Sequence, residues 1–97
     1  MTLYVFDKEG KFIKWWGGKG KEPGQFDQPH SIAIESKGLL YVGDRSNDRI
    51  QVFDQNGKFI KQWTHFGTPW GVSIRGNRLY VVDGTKANVI YIANLKD

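Results

Sequence analysis

Hydrophobic and polar positions in this chain alternate in short runs of four to six residues, and each run is cut off by a cluster of glycine, asparagine, aspartate or lysine. Such a two-residue period with frequent breaks predicts short β-strands joined by tight turns. In the middle of the chain the expected strands are Ser31–Ile34, Leu39–Gly43, Ile50–Phe53 and Phe59–Trp63, with Ile32/Ile34, Val52 and Phe59/Trp63 on periodic positions. Glu35-Ser-Lys-Gly38 and Asp54-Gln-Asn-Gly57 read as the turns between them. Asn56-Gly57 is a hairpin signal because both residue types tolerate positive φ. The run Lys8-Glu9-Gly10 makes a similar turn near the start.

The pattern repeats. Leu3-Tyr-Val-Phe-Asp through Trp16 realigns on Ile50-Gln-Val-Phe-Asp through Trp63, 47 residues on. Pro29-His30-Ser-Ile-Ala-Ile34 realigns on Pro69-Trp70-Gly-Val-Ser-Ile74 at 40 residues, and Leu40-Tyr41-Val42 with Asp44 on Leu79-Tyr80-Val81 with Asp83 at 39. The longer first spacing comes from the insertion Gly17-Gly-Lys-Gly-Lys-Glu-Pro-Gly24, which precedes no helix and reads as a flexible connection. A period near 40 with four strands per unit is that of a β-propeller blade. The chain then reads as strands three and four of one blade (residues 1–16), a complete blade (28–63) and three strands of another (68–97), about two four-stranded blades in all.

Two blades leave apolar sheet faces and strand edges bare, a condition that closure into a ring removes. Copies joined head to tail with strand exchange between subunits are therefore expected, with the chain itself as principal partner. Thr2–Phe6 and Val89–Ile92 compete for the same third-strand position. The rival reading is a fragment of a longer propeller.

Composition narrows the chemistry. The 97 residues hold four Trp, four Tyr and six Phe but no Cys, which excludes disulfides, thiolate catalysis and Cys-based zinc sites. No run approaches the length of a membrane span and the N-terminus lacks a signal-peptide pattern, so the default expectation is a cytoplasmic protein. The net charge is +4, but its lysines are spread along strand edges and turns and broken by Glu9, Glu22 and Glu35, which favours a solvated surface over a nucleic-acid interface. Within one chain there is no nucleophile–base constellation, phosphate loop or paired-histidine spacing, so the reading leans away from an enzyme.

The run Pro23-Gly-Gln-Phe-Asp-Gln-Pro-His-Ser-Ile-Ala-Ile34, followed by Leu40-Tyr-Val-Gly-Asp-Arg-Ser-Asn-Asp-Arg-Ile-Gln-Val-Phe-Asp54, resembles an NHL repeat, and Asp83 through Asn88 matches more loosely. The resemblance implies an all-β, six-bladed propeller and hence three copies of this chain. Among NHL propellers the pattern is similar to the peptidyl-α-hydroxyglycine amidating lyases. In that family three histidines from separate blades bind zinc at the channel, and an arginine faces the same site. His30 and Arg45 are the matching positions, whereas the family's tyrosine has no counterpart here.

His30 and Trp70 stand at the entry of the innermost strands, where a trimer would alternate His and Trp around its channel. Three imidazoles with an open fourth position suit Zn²⁺, and the rival reading is that His30 hydrogen-bonds the backbone of a neighbouring blade. The expected metal ligand is thus His30, and the expected ligand-binding residues are Asp44, Arg45 and Trp70, for a small molecule or peptide; for Asp44 and Asp83 the rival reading is a structural cap of a tight loop. Asn47, Asp83 and Asn88 share that face, and His65 is expected at the surface. Arg49 and Arg78 are expected along blade rims. Trp15, Trp16 and Trp63 are expected to pack between blades with their indole N–H groups partnered, one of the Trp15–Trp16 pair turning outward.

Overall fold

A computed structural model describes residues 1–84 and 89–95. The strands among them are β1 (Thr2–Phe6), β2 (Phe12–Gly17), β3 (Pro29–Ile34), β4 (Leu40–Asp44), β5 (Arg49–Phe53), β6 (Phe59–Trp63), β7 (Pro69–Arg75), β8 (Arg78–Asp83) and β9 (Val89–Asn94). They form three antiparallel sheets in the orders β1-β2, β3-β4-β5-β6 and β7-β8-β9. The sequence order is the spatial order in each sheet, as a propeller blade requires.

Alternation along β4 and β5 explains how the sheets stack. Tyr41, Ile50 and Val52 project to one side and meet Leu79 and Val81 of β8 together with Phe66. Leu40, Val42 and Phe53 project to the other and meet Phe26, with Leu3 of β1 and Trp16 of β2 against them. Every residue of β4 and β5 is buried. Each large apolar side chain so enclosed contributes about 1.5–3 kcal/mol. The central sheet is therefore the middle layer of three, with a core on each face.

The two hairpins joining a third to a fourth strand use one device twice. The Asp7 carboxylate accepts from the backbone N–H groups of Glu9 and Lys11, and the Asp54 carboxylate from those of Asn56 and Lys58. Gly10 and Gly57 take φ of 87° and 86°, each donating its N–H to the aspartate carbonyl. Asn56, expected in the left-handed region, is not there. The side-chain cap of Asp54 holds the two central residues in ordinary turn geometry and leaves only the glycine at positive φ, with a bulge following at Ile60, which has no partner opposite it. Asp54 titrates below its ordinary value of 3.8, chiefly because the Lys58 N–H stabilises the carboxylate.

Trp16 packs against Phe53 with ring centroids 5.6 Å apart, while Trp15 turns outward and is 58% exposed. The expectation of a partnered indole fails at Trp16. Its buried N–H has no hydrogen-bond acceptor, because the ring is surrounded by apolar side chains and by Gly57. Trp63 packs between Tyr41 and Phe66.

Candidate functional site

The innermost strands β3 and β7 begin with the same irregularity. Pro29 pairs with Asp44 and Ser31 with Gly43, so His30 is an extra residue with no partner opposite it. Pro69 pairs with Asp83 and Gly71 with Val82, so Trp70 is the extra residue of β7. Bulges re-aim a side chain locally, and here they direct two rings toward the same place. The His30 and Trp70 rings lie 5.3 Å apart with 40° between their planes. His30 Nδ1 is 2.7 Å from the Trp70 carbonyl oxygen. A carbonyl only accepts, so Nδ1 carries the proton and the lone pair of the neutral ring is on Nε2. Gly84 makes room for the indole: a Cβ there would collide with the Trp70 ring.

Arg45 completes the cluster from the other side. It opens a 3₁₀ turn at Arg45–Asn47 between β4 and β5. Its guanidinium carbon sits 4.9 Å from the Trp70 ring centroid, within cation–π range. Nη1 donates to Gln28 Oε1 at 2.7 Å, and Ser46 Oγ donates to the same oxygen. Gln28 is held at φ 55° to present that oxygen. The result is an exposed imidazole, an exposed indole and a planar cation at the inner end of two neighbouring sheets. Such a set can receive an anionic group beside an apolar one.

Asp44 does not belong to this set. Expected at the ligand-binding face, it is wholly buried. Oδ1 accepts from the Asp27 N–H, and Oδ2 accepts from Asn47 Nδ2, Arg49 Nε and Gln51 Nε2. Arg49 is likewise buried and not on a rim. Its Nε donates to Asp44 at 2.8 Å, and its other donors reach the carbonyls of Lys21, Glu22 and Gln25 and the Gln62 side chain. All five guanidinium N–H groups are used. Gln51 adds a bond to the Gln25 carbonyl and accepts from the Gly24 N–H.

These bonds correct a second expectation. The Gly/Lys insertion is not a free connection, since Arg49 and Gln51 clamp its backbone and Phe26 just after it is buried. The sequence did carry the signal. Arg49 and Gln51 alternate with apolar Ile50 and Val52 in a strand enclosed on both faces, so they had to find polar partners inside.

Asp83 is buried near the Thr68 N–H, and Arg78 is exposed as expected. His65 is exposed and stacks on Phe66. Asn88 lies outside the described residues. Among the described residues no three His, Asp or Glu side chains gather in one place, so one chain offers a metal a single imidazole here. No described helix is long and apolar enough to cross a membrane.

A family model described as a 6-bladed beta-propeller matches residues 1–65. Over 54 residues the chain is 44% identical to mouse peptidyl-glycine alpha-amidating monooxygenase, a match covering 50% of this chain and 6% of that protein. It is 41% identical over 62 residues to human NHL repeat-containing protein 3, covering 50% of this chain and 18% of that protein. It is 48% identical over 40 residues to human E3 ubiquitin-protein ligase TRIM32, covering 41% of this chain and 6% of that protein. The chain thus spans a small part of these relatives. Two of the three names state an activity and the two differ, so the shared repeat carries a fold and not one chemistry.

Proposed function

This chain belongs to the 6-bladed β-propeller family and is built of NHL-type repeats, and from that premise we propose that it is a self-assembling binding scaffold whose ligand meets His30, Arg45 and Trp70 at the inner rim of a ring. The observation that carries this reading is the convergence of those three side chains through two bulges and one 3₁₀ turn. His30 and Trp70 bridge two neighbouring blades through the Nδ1 bond and their ring contact, and both rings nevertheless remain exposed. Three copies would set three such clusters around one channel.

The ligand class that fits is a peptide ending in a free carboxylate, with the guanidinium taking the anion and Trp70 the last side chain or backbone. Mouse peptidyl-glycine alpha-amidating monooxygenase is named for such an end group. The direct test has two parts. Native mass spectrometry is expected to show three 11.1 kDa chains together. Calorimetric titration with a short glycine-terminated peptide is expected to show binding that falls about tenfold or more in Arg45→Ala, as losing a charge-assisted hydrogen bond implies. Equal affinity for the peptide and its C-terminal amide would overturn the assignment.

A second reading is favoured by the Nδ1 bond to the Trp70 carbonyl. A backbone acceptor on one ring nitrogen orients the other toward a metal in many histidine sites. Three copies of His30 would hold one Zn²⁺, which when bound supplies Lewis acidity at an open position. Titration is expected to give one zinc per three chains, abolished by His30→Ala. Binding that survives this substitution would eliminate the reading.

A further inference from the structure

With nine strands among the described residues of each chain, three chains supply 27, whereas six four-stranded blades use 24, so the described residues of each chain carry one strand too many for the ring. We propose that β9 is the strand that gives way. Within its own chain it fills the third-strand position that β1 of the next copy takes when the ring closes. The apolar slot beside β1 is then the seat of β7 and β8 of a second copy. This inference rests on the ring reading above.

The internal repeat fixes the register of the exchange. In the complete blade β4 pairs with β5 as Leu40↔Phe53, Tyr41↔Val52, Val42↔Gln51 and Gly43↔Ile50. Shifting β4 by 39 residues gives β8, and shifting β5 back by 47 gives β1. The exchanged ladder therefore reads Leu79↔Phe6, Tyr80↔Val5, Val81↔Tyr4 and Val82↔Leu3 between copies. Within one chain the same β8 residues pair with Ala93, Ile92, Tyr91 and Ile90. The two candidate strands thus offer Leu3 for Ile90, Tyr4 for Tyr91, Val5 for Ile92 and Phe6 for Ala93. Three of these four exchanges conserve size and class, and the fourth adds an aromatic ring.

Directions agree as well. Tyr91 and Ala93 pack against the core beneath β8, on the side that Tyr4 and Phe6 would occupy. In the single chain Tyr4 and Phe6 are instead 60% and 55% exposed, and Phe12 and Trp15 beside them are about as open. At about 150–250 Å² per aromatic side chain, four half-exposed rings leave roughly 400 Å² of apolar surface. That alone matches the largest patch on a typical monomer.

On the other side of β1, cavities of about 290 and 730 Å³ run along the sheet formed by β3 and β4, bordered by Leu3, Val5, Ile32 and Ile34. Tyr80 and Val82 of an incoming β8 face that slot. Moreover β1 arrives with β2, which supplies a fourth strand. β9 alone leaves its outer edge unpaired among the described residues.

The chain has no cysteine, so introduced pairs report pairing cleanly. Facing residues of an antiparallel pair lie within disulfide reach. Under mild oxidation the full-length double variant Leu3→Cys/Val82→Cys is expected to give covalent oligomers up to a trimer on a non-reducing gel. In the same ring fraction Val82→Cys/Ile90→Cys is expected to stay reduced. The converse result, a trimer by native mass in which only Val82→Cys/Ile90→Cys closes, overturns the role of β9 and leaves the ring standing. A single 11.1 kDa species at every concentration overturns the ring itself, and this inference with it. Hydrogen exchange on the unsubstituted ring gives an independent check: β1 amides protected and β9 amides open are expected, and the reverse contradicts the proposal.

Discussion

Arg49 shows how much one residue can be asked to hold. Its five donors tie Asp44, the backbone carbonyls of Lys21, Glu22 and Gln25, and Gln62 into one buried network. Replacing it by methionine keeps most of the volume and removes every bond, leaving the Asp44 carboxylate buried without its counter-charge. Losing one partner of a buried pair typically costs about 3–5 kcal/mol. The Arg49→Met chain is expected to melt well below the parent in a thermal scan, with proteolysis first in residues 18–25. Unchanged melting would show that the network is satisfied by water. Arg45, four residues earlier, has the opposite character. Among the described residues only Gln28 takes one of its donors, and its guanidinium lies over an exposed indole.

At the scale of elements, the Asp54 hairpin makes a pH-dependent contribution whose sign follows from its hydrogen bonds. The Lys58 and Asn56 N–H groups and the Lys58 and Lys14 charges hold the carboxyl below 3.8 in the folded chain. The stabilisation is therefore fully present above the unfolded value and is lost as pH falls through the lower folded one. The stability gap between the parent and Asp54→Ser is expected to be constant near neutrality and to shrink as pH drops below 3.8. A gap independent of pH would place the contribution in packing instead.

The strands and turns around this hairpin were legible because alternation, glycine spacing and the 40-residue period depend on local chemistry alone. The trio of His30, Arg45 and Trp70 was legible as separate positions, since each follows from its place in the repeat. Their contact was not, because it depends on bulges that alternation does not encode. The backbone partners of Arg49 and Gln51 were hidden for a related reason, as they lie 24 to 28 residues away in the insertion and just after it. The repeat offers a retrospective clue. In the last sheet the connection before β7 is short, and the place of Gln51 is taken by Tyr91, which packs on Phe66 at 5.4 Å. Long connection and polar clamp occur together, and so do short connection and aromatic cover.

The whole molecule is three layers with cores only between them. The outer layers present Tyr4, Trp15, Ile90 and Ile92 to solvent at 58–62% exposure. A chain that associates through such faces draws part of its stability from mass action. Its melting temperature is therefore expected to rise with protein concentration over the range in which native mass detects trimer. A melting temperature that stays flat across that range would assign the stability to the single chain.

The two bulges have an evolutionary meaning as well as a geometric one. A residue that has no partner opposite it does not count in the inward–outward parity of its strand. Pro29 and Pro69 precede the bulges, and the apolar alternation that follows each of them is the same, yet one holds histidine and the other tryptophan. A single chain has thus already varied the position once without disturbing a blade. The inner rim can change what it recognises while the sheets behind it keep the sequence that folds them.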